Sequence, residues 1–188
     1  MHKFIKSLFF IGIAICILSI FLIIGTYLTI KPNLPEIKYV DESELQMPLK
    51  VYTKDGYLIG EFGEIKRRAT SFDDIPRDIK NAFLSAEDDN FFNHQGISYA
   101  GLIRSFARCI QPTGCQGGGG TLTMQVVRGY LLTPEQTIVR KIKEIFLALE
   151  LEGKVDKEEI FELYVNRIFL GNRSYGIEAA ANTYFNKN

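Results

Sequence analysis

The distribution of apolar and polar residues separates an apolar front segment from the rest of the chain. Residues 7–30 carry no formal charge, and Lys3 and Lys6 precede them. As a helix rising ~1.5 Å per residue, this segment would be roughly 36 Å long, enough to cross a ~30 Å hydrocarbon core. A cleaved signal peptide would have an apolar region of only ~7–15 residues, and a buried core helix would need more covering structure nearby. We therefore predict a transmembrane signal anchor at 7–30, after a cytoplasmic N-terminus at 1–6.

The remaining residues predict a small β element followed by helices. Residues 31–48 contain three prolines and no sustained helical period, which indicates a linker. Residues 49–63 alternate apolar and polar side chains around an Asp-Gly pair, the pattern of a β-hairpin. Beyond them the apolar residues recur at helical spacing. The sequence thus predicts a mainly α domain at 49–188 with a small β-hairpin, preceded by a single transmembrane helix.

Capping residues predict where some of these helices begin. Asp74, Thr133 and Asp156 each precede an apolar helical period and are suited to cap it. The helix that follows Thr133 is expected to run to about Glu152. Its predicted inward positions are Ile138, Ile142, Ile145, Phe146 and Leu149.

Composition removes some classes of function. The chain has 22 basic and 22 acidic residues, so its net charge is zero and it has no polybasic footprint for nucleic acid. Cys109 and Cys115 bracket a short turn-rich insert, and either a disulfide or two free thiols fit this spacing in an exported domain. Neither histidine lies at metal-ligand spacing from the pair.

The first candidate for chemistry is the carboxylate of Glu87. It follows an apolar helical segment and has Asp88 beside it, so partial desolvation and like-charge repulsion are both expected to raise its pKa toward the range useful for acid–base catalysis. The alternative is a solvated acidic helix end that also includes Asp89. His94, a few residues on, is by itself more typical of a structural hydrogen-bonding residue.

Two further patterns suit a phosphorylated ligand. A glycine run at 117–120 leads into a helix at Thr121, and free N–H groups at such a junction can bind phosphate. Arg140, Lys141 and Glu144 share one face of a helix. They form either an ordinary surface salt bridge or a cationic grip on a phosphorylated leaving group, in which the carboxylate holds the cations or a metal. Glu162 and Asn166 also share a helix face, and a structural pair is the alternative there.

These segments together match five ordered motifs, and the chain resembles the peptidoglycan glycosyltransferase domain of glycosyltransferase family 51, found at the N-terminus of class A penicillin-binding proteins. The resemblance runs from about Val51 to the end of the chain. The motif residues are Glu87, Asp88, Phe91, His94 and Gly96; Gly118, Thr121, Thr123 and Gln125; Arg140, Lys141 and Glu144; Glu162, Tyr164 and Asn166; and residues 175–185, which begin Tyr-Gly and end Tyr-Phe.

The resemblance implies a lysozyme-like fold at the outer, periplasmic face of the bacterial cytoplasmic membrane, acting on lipid II and a growing glycan strand. Catalysis would fall to Glu87, as general base, and to Glu144. Substrate binding would involve Asp88, Phe91, His94, Gly96, Thr121, Thr123, Gln125, Arg140, Lys141, Glu162 and Asn166. No cofactor is required by it; a divalent cation (Mg2+ or Mn2+) is compatible, with Glu144 as its candidate ligand. Further partners would be cell-wall synthesis proteins.

Two departures from the family pattern bear on activity. Gly120 stands where the second motif has a serine, and the chain stops at Asn188 where family domains continue with further helices. Neither S-x-x-K nor K-T-G occurs, so no transpeptidase is encoded here. The alternatives are a catalytically silent, membrane-anchored module that binds lipid II or divisome proteins, and a glycan-cleaving enzyme of the lysozyme type.

Overall fold

A computed structural model describes residues 2–37, 49–62, 66–67, 70–109, 120–134 and 137–187. The chain divides into two compact units, residues 1–35 and 36–188. The first unit is helix α1 (His2–Ile30) with a 3-10 turn at Lys31–Asn33. Within it, residues 10–33 are long and apolar enough to cross a membrane and are unburied. The predicted apolar N-terminal helix is confirmed, and it begins five residues earlier than expected.

The second unit begins with the predicted β-hairpin. Strand β1 (Leu49–Tyr52) pairs antiparallel with β2 (Leu58–Phe62). Gly56 turns the chain between them with a φ of +86°, a conformation that glycine adopts without steric strain. Two short strands, β3 (Lys66–Arg67) and β4 (Ser174–Tyr175), form a parallel pair elsewhere in the unit.

Among the residues that the structure describes, the second unit contains six α-helices and only short strands, which confirms the mainly α class. The helices are α2 (Arg77–Glu87), α3 (Tyr99–Cys109), α4 (Leu122–Leu131), α5 (Ile138–Glu152), α6 (Lys157–Arg167) and α7 (Ile177–Phe185). Helix α4 packs against both α5 and α6. Their facing side chains contribute Leu122, Leu147, Ile160 and Phe161 to the core, and Phe91, from a 3-10 turn at Phe91–Asn93 after α2, is also fully buried there.

Two predicted helix starts are wrong. Asp74 does not cap α2: its carboxylate accepts a hydrogen bond from Ser71 at 2.6 Å, and the helix begins after Pro76, whose ψ of 141° is extended. Helix α5 is capped by Thr137 rather than Thr133, because the Thr137 hydroxyl accepts from the Arg140 N–H at 3.1 Å. Asp156 does precede α6, although its side chain makes no capping hydrogen bond.

The predicted inward face of α5 is wrong at Ile138 and Leu149, which are exposed, whereas Ile142, Ile145 and Phe146 are half-buried. Ile138 is 81% exposed, while Glu144, Leu147, Ala148 and Leu151 are buried. These four follow the i, i+3, i+4, i+7 spacing of one helix face. Apolar residues occur almost all round this helix, so they permit more than one inward face, and the buried face is the one that contains a carboxylate.

Cys115 and residues 38–48 and 117–119 lie outside the described residues. The disulfide, most of the linker and most of the glycine run therefore stay predictions.

Candidate active site

Glu87 is the last residue of α2, and its carboxylate is exposed. The partial desolvation predicted for it is therefore wrong, since no residue of α2 is buried. One oxygen accepts a hydrogen bond from the Gln125 side-chain amide at 2.8 Å. An exposed carboxylate held by one neutral donor can be reached by a substrate and keeps acceptor capacity for a proton.

Asp88, the next residue, is buried, with an exposed fraction of 8%. One of its oxygens lies 2.9 Å from His94 Nε2 and accepts the Leu122 N–H at 3.1 Å. Leu122 is the first residue of α4, where backbone N–H groups lack helical partners and favour a negative charge. Asp88 thus joins the end of α2 to the start of α4, while its neighbour Glu87 reaches the same helix through Gln125.

The turn at Gly96 brings the first motif against α5. Its φ is +80°, and a Cβ there would lie 2.8 Å from the Ala148 carbonyl oxygen, so no other residue fits. The Gly96 carbonyl accepts the Thr121 hydroxyl at 2.6 Å, and Thr121 in turn caps α4 by accepting the Met124 N–H at 3.2 Å. Gly96 and Thr121 therefore serve to place helices α4 and α5.

Thr123 belongs to a buried polar group that we call the Glu152 cluster, formed by Thr123, Glu152 and Lys157. One oxygen of Glu152 accepts the Thr123 hydroxyl at 2.5 Å and the Lys157 ammonium at 2.7 Å. The ammonium also lies 4.4 Å from the centre of the fully buried Phe91 ring. The cluster links the ends of three helices to the first motif.

Arg140, Lys141 and Glu144 form a second charged cluster on α5, which we call the Glu144 cluster. Glu144 is 1% exposed; one of its oxygens accepts from the Arg140 guanidinium and the other from the Lys141 ammonium at 3.0 Å. A Cβ on Gly120 would lie 3.5 Å from the Lys141 ammonium, so the second motif begins beside this cluster. With two cations and one carboxylate, its formal charge is +1.

The Glu144 cluster does not suit a divalent cation. Both oxygens of Glu144 already accept hydrogen bonds from cations, whereas Mg2+ requires free oxygen ligands. Among the residues that the structure describes, no three His, Cys, Asp or Glu side chains lie close enough to hold a metal ion.

Glu162 and Asn166 on α6 hold the segment that precedes α2. The Glu162 carboxylate accepts the Phe72 N–H at 2.8 Å, and the Asn166 amide exchanges two hydrogen bonds with the backbone of Thr70, at 2.9 and 3.0 Å. Glu178, from the fifth motif, accepts the Thr70 hydroxyl at 3.1 Å. These polar groups are bonded within the protein, and a role in substrate binding stays a prediction for Glu162 and Asn166.

Tyr164, the middle residue of the fourth motif, lies on α6 and is 5% exposed. Its hydroxyl has no hydrogen-bond partner among the described residues. Burial, and secondly the negative charge of Glu87, raise the pKa of Tyr164 above its ordinary value, against a smaller opposing effect of Arg128. The phenol therefore stays neutral near pH 7 and retains its proton as a donor.

A pocket of about 200 Å³ lies beside Tyr164 between α4 and α6. Its polar lining comes from Gln125, Arg128, Tyr164 and Arg167. Sequence reasoning did not single out Arg128, Arg167, Glu152 or Lys157 as site residues. A glycine in the interior of α4, Gly129, was the available signal for the pocket, because glycine is unfavourable there without a packing reason.

The structure thus brings the first three motifs together around the N-terminal half of α4. Glu87, Asp88 and Gly96 contact Gln125, Leu122 and Thr121 respectively, and Gly120 lies beside Lys141. The arrangement offers an exposed carboxylate, a neutral phenol and a cationic cluster around one helix.

Comparisons with known proteins give a consistent result. A family model described as transglycosylase matches residues 55–188. The chain is 52% identical to penicillin-binding protein 1A of Pseudomonas aeruginosa over 163 residues, 87% of this chain and 20% of that protein. It is 38% identical to penicillin-binding protein 1A of Escherichia coli over 185 residues, 98% of this chain and 22% of that protein. The chain therefore spans about a fifth of the length of these relatives.

Proposed function

The chain belongs to the transglycosylase family, the peptidoglycan glycosyltransferase domain of 1A-type penicillin-binding proteins, and on that premise we propose that it polymerises lipid II into β-1,4-linked glycan strands. Lipid II is a disaccharide-pentapeptide on undecaprenyl pyrophosphate. The reaction joins the 4-hydroxyl of an acceptor GlcNAc to the anomeric carbon of a donor MurNAc. Undecaprenyl pyrophosphate is released.

Glu87 is the general base of this proposal, and its exposure is the observation that carries it. A base must come within hydrogen-bond reach of the proton that it removes. Of the adjacent acids, Glu87 is exposed with a single hydrogen bond from Gln125, whereas the Asp88 carboxylate is buried and bound to His94 and α4. Gln125 fixes one oxygen of Glu87, which leaves the other for the acceptor hydroxyl.

The bond changes follow from this placement. Glu87 takes the proton of the 4-hydroxyl as that oxygen bonds to the donor's anomeric carbon. The bond from this carbon to the α-linked pyrophosphate breaks, and its electrons leave with the phosphate. Because attack occurs on the face opposite the leaving group, the new linkage is β and configuration inverts.

The Glu144 cluster is proposed to receive the leaving pyrophosphate. A phosphorylated leaving group needs its developing negative charge neutralised rather than a strong acid. Arg140 and Lys141 supply that charge, and the buried Glu144 holds both cations in place through its two oxygens. Glu144 thus acts in the proposal as a positioning residue, and no step passes through a metal.

Helix α1 supports a membrane location for the reaction. Residues 10–33 are apolar enough to span a bilayer, and the undecaprenyl chain of lipid II lies in one. We propose that α1 anchors the chain in the cytoplasmic membrane with the catalytic domain on the outer or periplasmic face, where the growing glycan strand is located.

Incubation of the chain with fluorescent lipid II in detergent tests the proposed function. Gel separation of the products should show a ladder of long glycan strands that lysozyme degrades, together with undecaprenyl pyrophosphate. Two outcomes would overturn the proposal: unchanged lipid II with a correctly folded chain, which fits a silent binding module, or shortening of preformed strands, which fits a glycan-cleaving enzyme.

A further inference from the structure

Two arginines line the pocket between α4 and α6. Arg128 comes from α4 and Arg167 from the end of α6. Neither has a carboxylate within ion-pair distance in the part of the chain that the structure describes. Unbalanced guanidinium groups beside one concave surface attract an anion and can bind it through two parallel hydrogen bonds.

The position of Arg167 depends on Gly129. A Cβ on Gly129 would lie 2.9 Å from Arg167 Nε and 3.2 Å from its Cδ, closer than atoms can approach without one of them moving. Gly129 does not have a positive φ, so its backbone conformation does not require glycine. The residue instead gives Arg167 room in a helix interior where alanine would be more favourable.

The Arg167 guanidinium also contacts the Tyr130 ring. The guanidinium carbon lies 4.3 Å from the centre of the Tyr130 ring, a distance at which a cation is attracted by the ring face. This contact favours one position of the Arg167 side chain before any ligand arrives. Pre-organisation of this kind strengthens binding, because less side-chain freedom is lost when the ligand binds.

Tyr164 supplies an independent indication that the pocket is built for a ligand. Its side chain is 95% buried and its hydroxyl lacks a partner within the described ranges. A buried polar group without a partner is destabilising unless something else uses it. Tyr164 lines the same pocket as the two arginines, and its neutral phenol keeps a proton to donate.

We propose that Arg167, in the room left by Gly129, binds an anionic group of the substrate together with Arg128 and Tyr164. The inference rests on the proposed function and adds Arg167 as a specificity-determining residue. The shared ligand chemistry is a phosphate or a carboxylate. Lipid II offers both, on its pyrophosphate and on its stem peptide.

Calorimetric titration of the full chain in detergent distinguishes the two sources. The probes are inorganic pyrophosphate and a water-soluble muramoyl pentapeptide that carries no phosphate. Arg167→Gln should weaken binding of one probe by about tenfold, since it removes a charge-assisted contact. The matched control is Arg77→Gln, an exposed arginine in the first turn of α2, and it should bind both probes as the wild type does.

Gly129→Ala separates this role from a structural one. The added methyl must displace the end of the Arg167 side chain while it favours the helix, so the variant should be no less stable to heat and yet bind the same probe more weakly. Wild-type affinity of Arg167→Gln for both probes would overturn the inference even if the chain polymerises lipid II. Conversely, a chain that binds a probe through Arg167 but makes no strands would overturn the proposed function alone.

Discussion

Glu87, the proposed general base, and Glu144, the acid proposed to position Arg140 and Lys141, lie in opposite surroundings. Glu87 is exposed at a helix end and accepts one hydrogen bond from a neutral amide. Glu144 is 1% exposed and accepts from two cations through both of its oxygens. The first carboxylate is available for a proton, and the second is committed to holding Arg140 and Lys141.

This difference separates two kinds of contribution to one reaction. A group that reacts must keep acceptor capacity and access to the substrate. A group that organises charge does not need access to the substrate and can be buried among its partners. Removal of such a group leaves its buried partner charges uncompensated, which destabilises the fold. Substitutions of Glu87 should therefore change turnover at constant stability, and substitutions of Glu144 should change stability first.

Glu87→Gln should have the largest effect on activity. The amide keeps the shape of the side chain but cannot accept the proton, so strand synthesis from lipid II should fall by about 10²–10⁴-fold. Because Glu87 is exposed, the thermal unfolding midpoint should not change. Glu159→Gln, another exposed acid, is the control and should keep wild-type turnover; polymerisation by Glu87→Gln at the wild-type rate would refute the assignment of the base.

Glu144→Leu should have the largest effect on stability. It leaves the Arg140 and Lys141 cations side by side without their carboxylate, and loss of one partner of a buried pair costs about 3 kcal/mol, the lower part of the usual range because Lys141 is 40% exposed. Denaturant unfolding measures this loss.

Glu150→Leu is the matched control for the buried cluster. Glu150, near the end of α5, pairs at 2.6 Å with Lys154, two residues beyond that helix, but both side chains are about half exposed. Such a pair contributes less than about 1 kcal/mol. Equal destabilisation by the two substitutions would mean that burial does not distinguish the clusters.

Asp88→Ala tests the smaller, buried contact next to the base. It leaves the Leu122 N–H and His94 without their acceptor, which should destabilise the chain by about 1–3 kcal/mol. Asp89→Ala, one residue on and exposed, should stay within about 0.5 kcal/mol of the wild type. If both variants unfold at the same denaturant concentration, Asp88 does not fix α4.

Local pattern was sufficient for the elements whose signals are local. The uncharged run of α1, the Asp-Gly turn at Gly56 and the acid before α6 each lie within a few residues of the element that they specify. The inward face of α5 was mispredicted for the opposite reason. Its buried side includes Glu144, and only the cations one turn earlier make a carboxylate acceptable there.

The roles within the site depend on contacts that are distant in sequence. Glu87 and Asp88 are chemically alike and adjacent, and only the position of α4, more than thirty residues later, makes one exposed and the other buried. The need for glycine at position 96 likewise depends on a distant residue, because a Cβ there would lie too close to the Ala148 carbonyl oxygen. The motif resemblance identified Glu87 as the candidate base and predicted that Asp88 and Thr123 bind the substrate. In the structure, the polar atoms of Asp88 and Thr123 form hydrogen bonds within the protein.

Gly120→Ser should give the smallest effect, and it tests the Lys141 ammonium of the Glu144 cluster. A Cβ at this position meets Lys141 Nζ at 3.5 Å and Met124 Cβ at 3.8 Å, which are ordinary contacts, so stability should change by less than about 0.5 kcal/mol. The added hydroxyl comes within reach of the Lys141 ammonium and restores the serine of the second motif. We expect a KM for lipid II up to a few-fold lower with kcat unchanged, because the serine would add binding that is equal in ground and transition states. Gly120→Ala adds the methylene without the hydroxyl and should leave the KM as it is; an equal fall in KM for both variants would show that loop stiffness, not the contact with Lys141, is responsible.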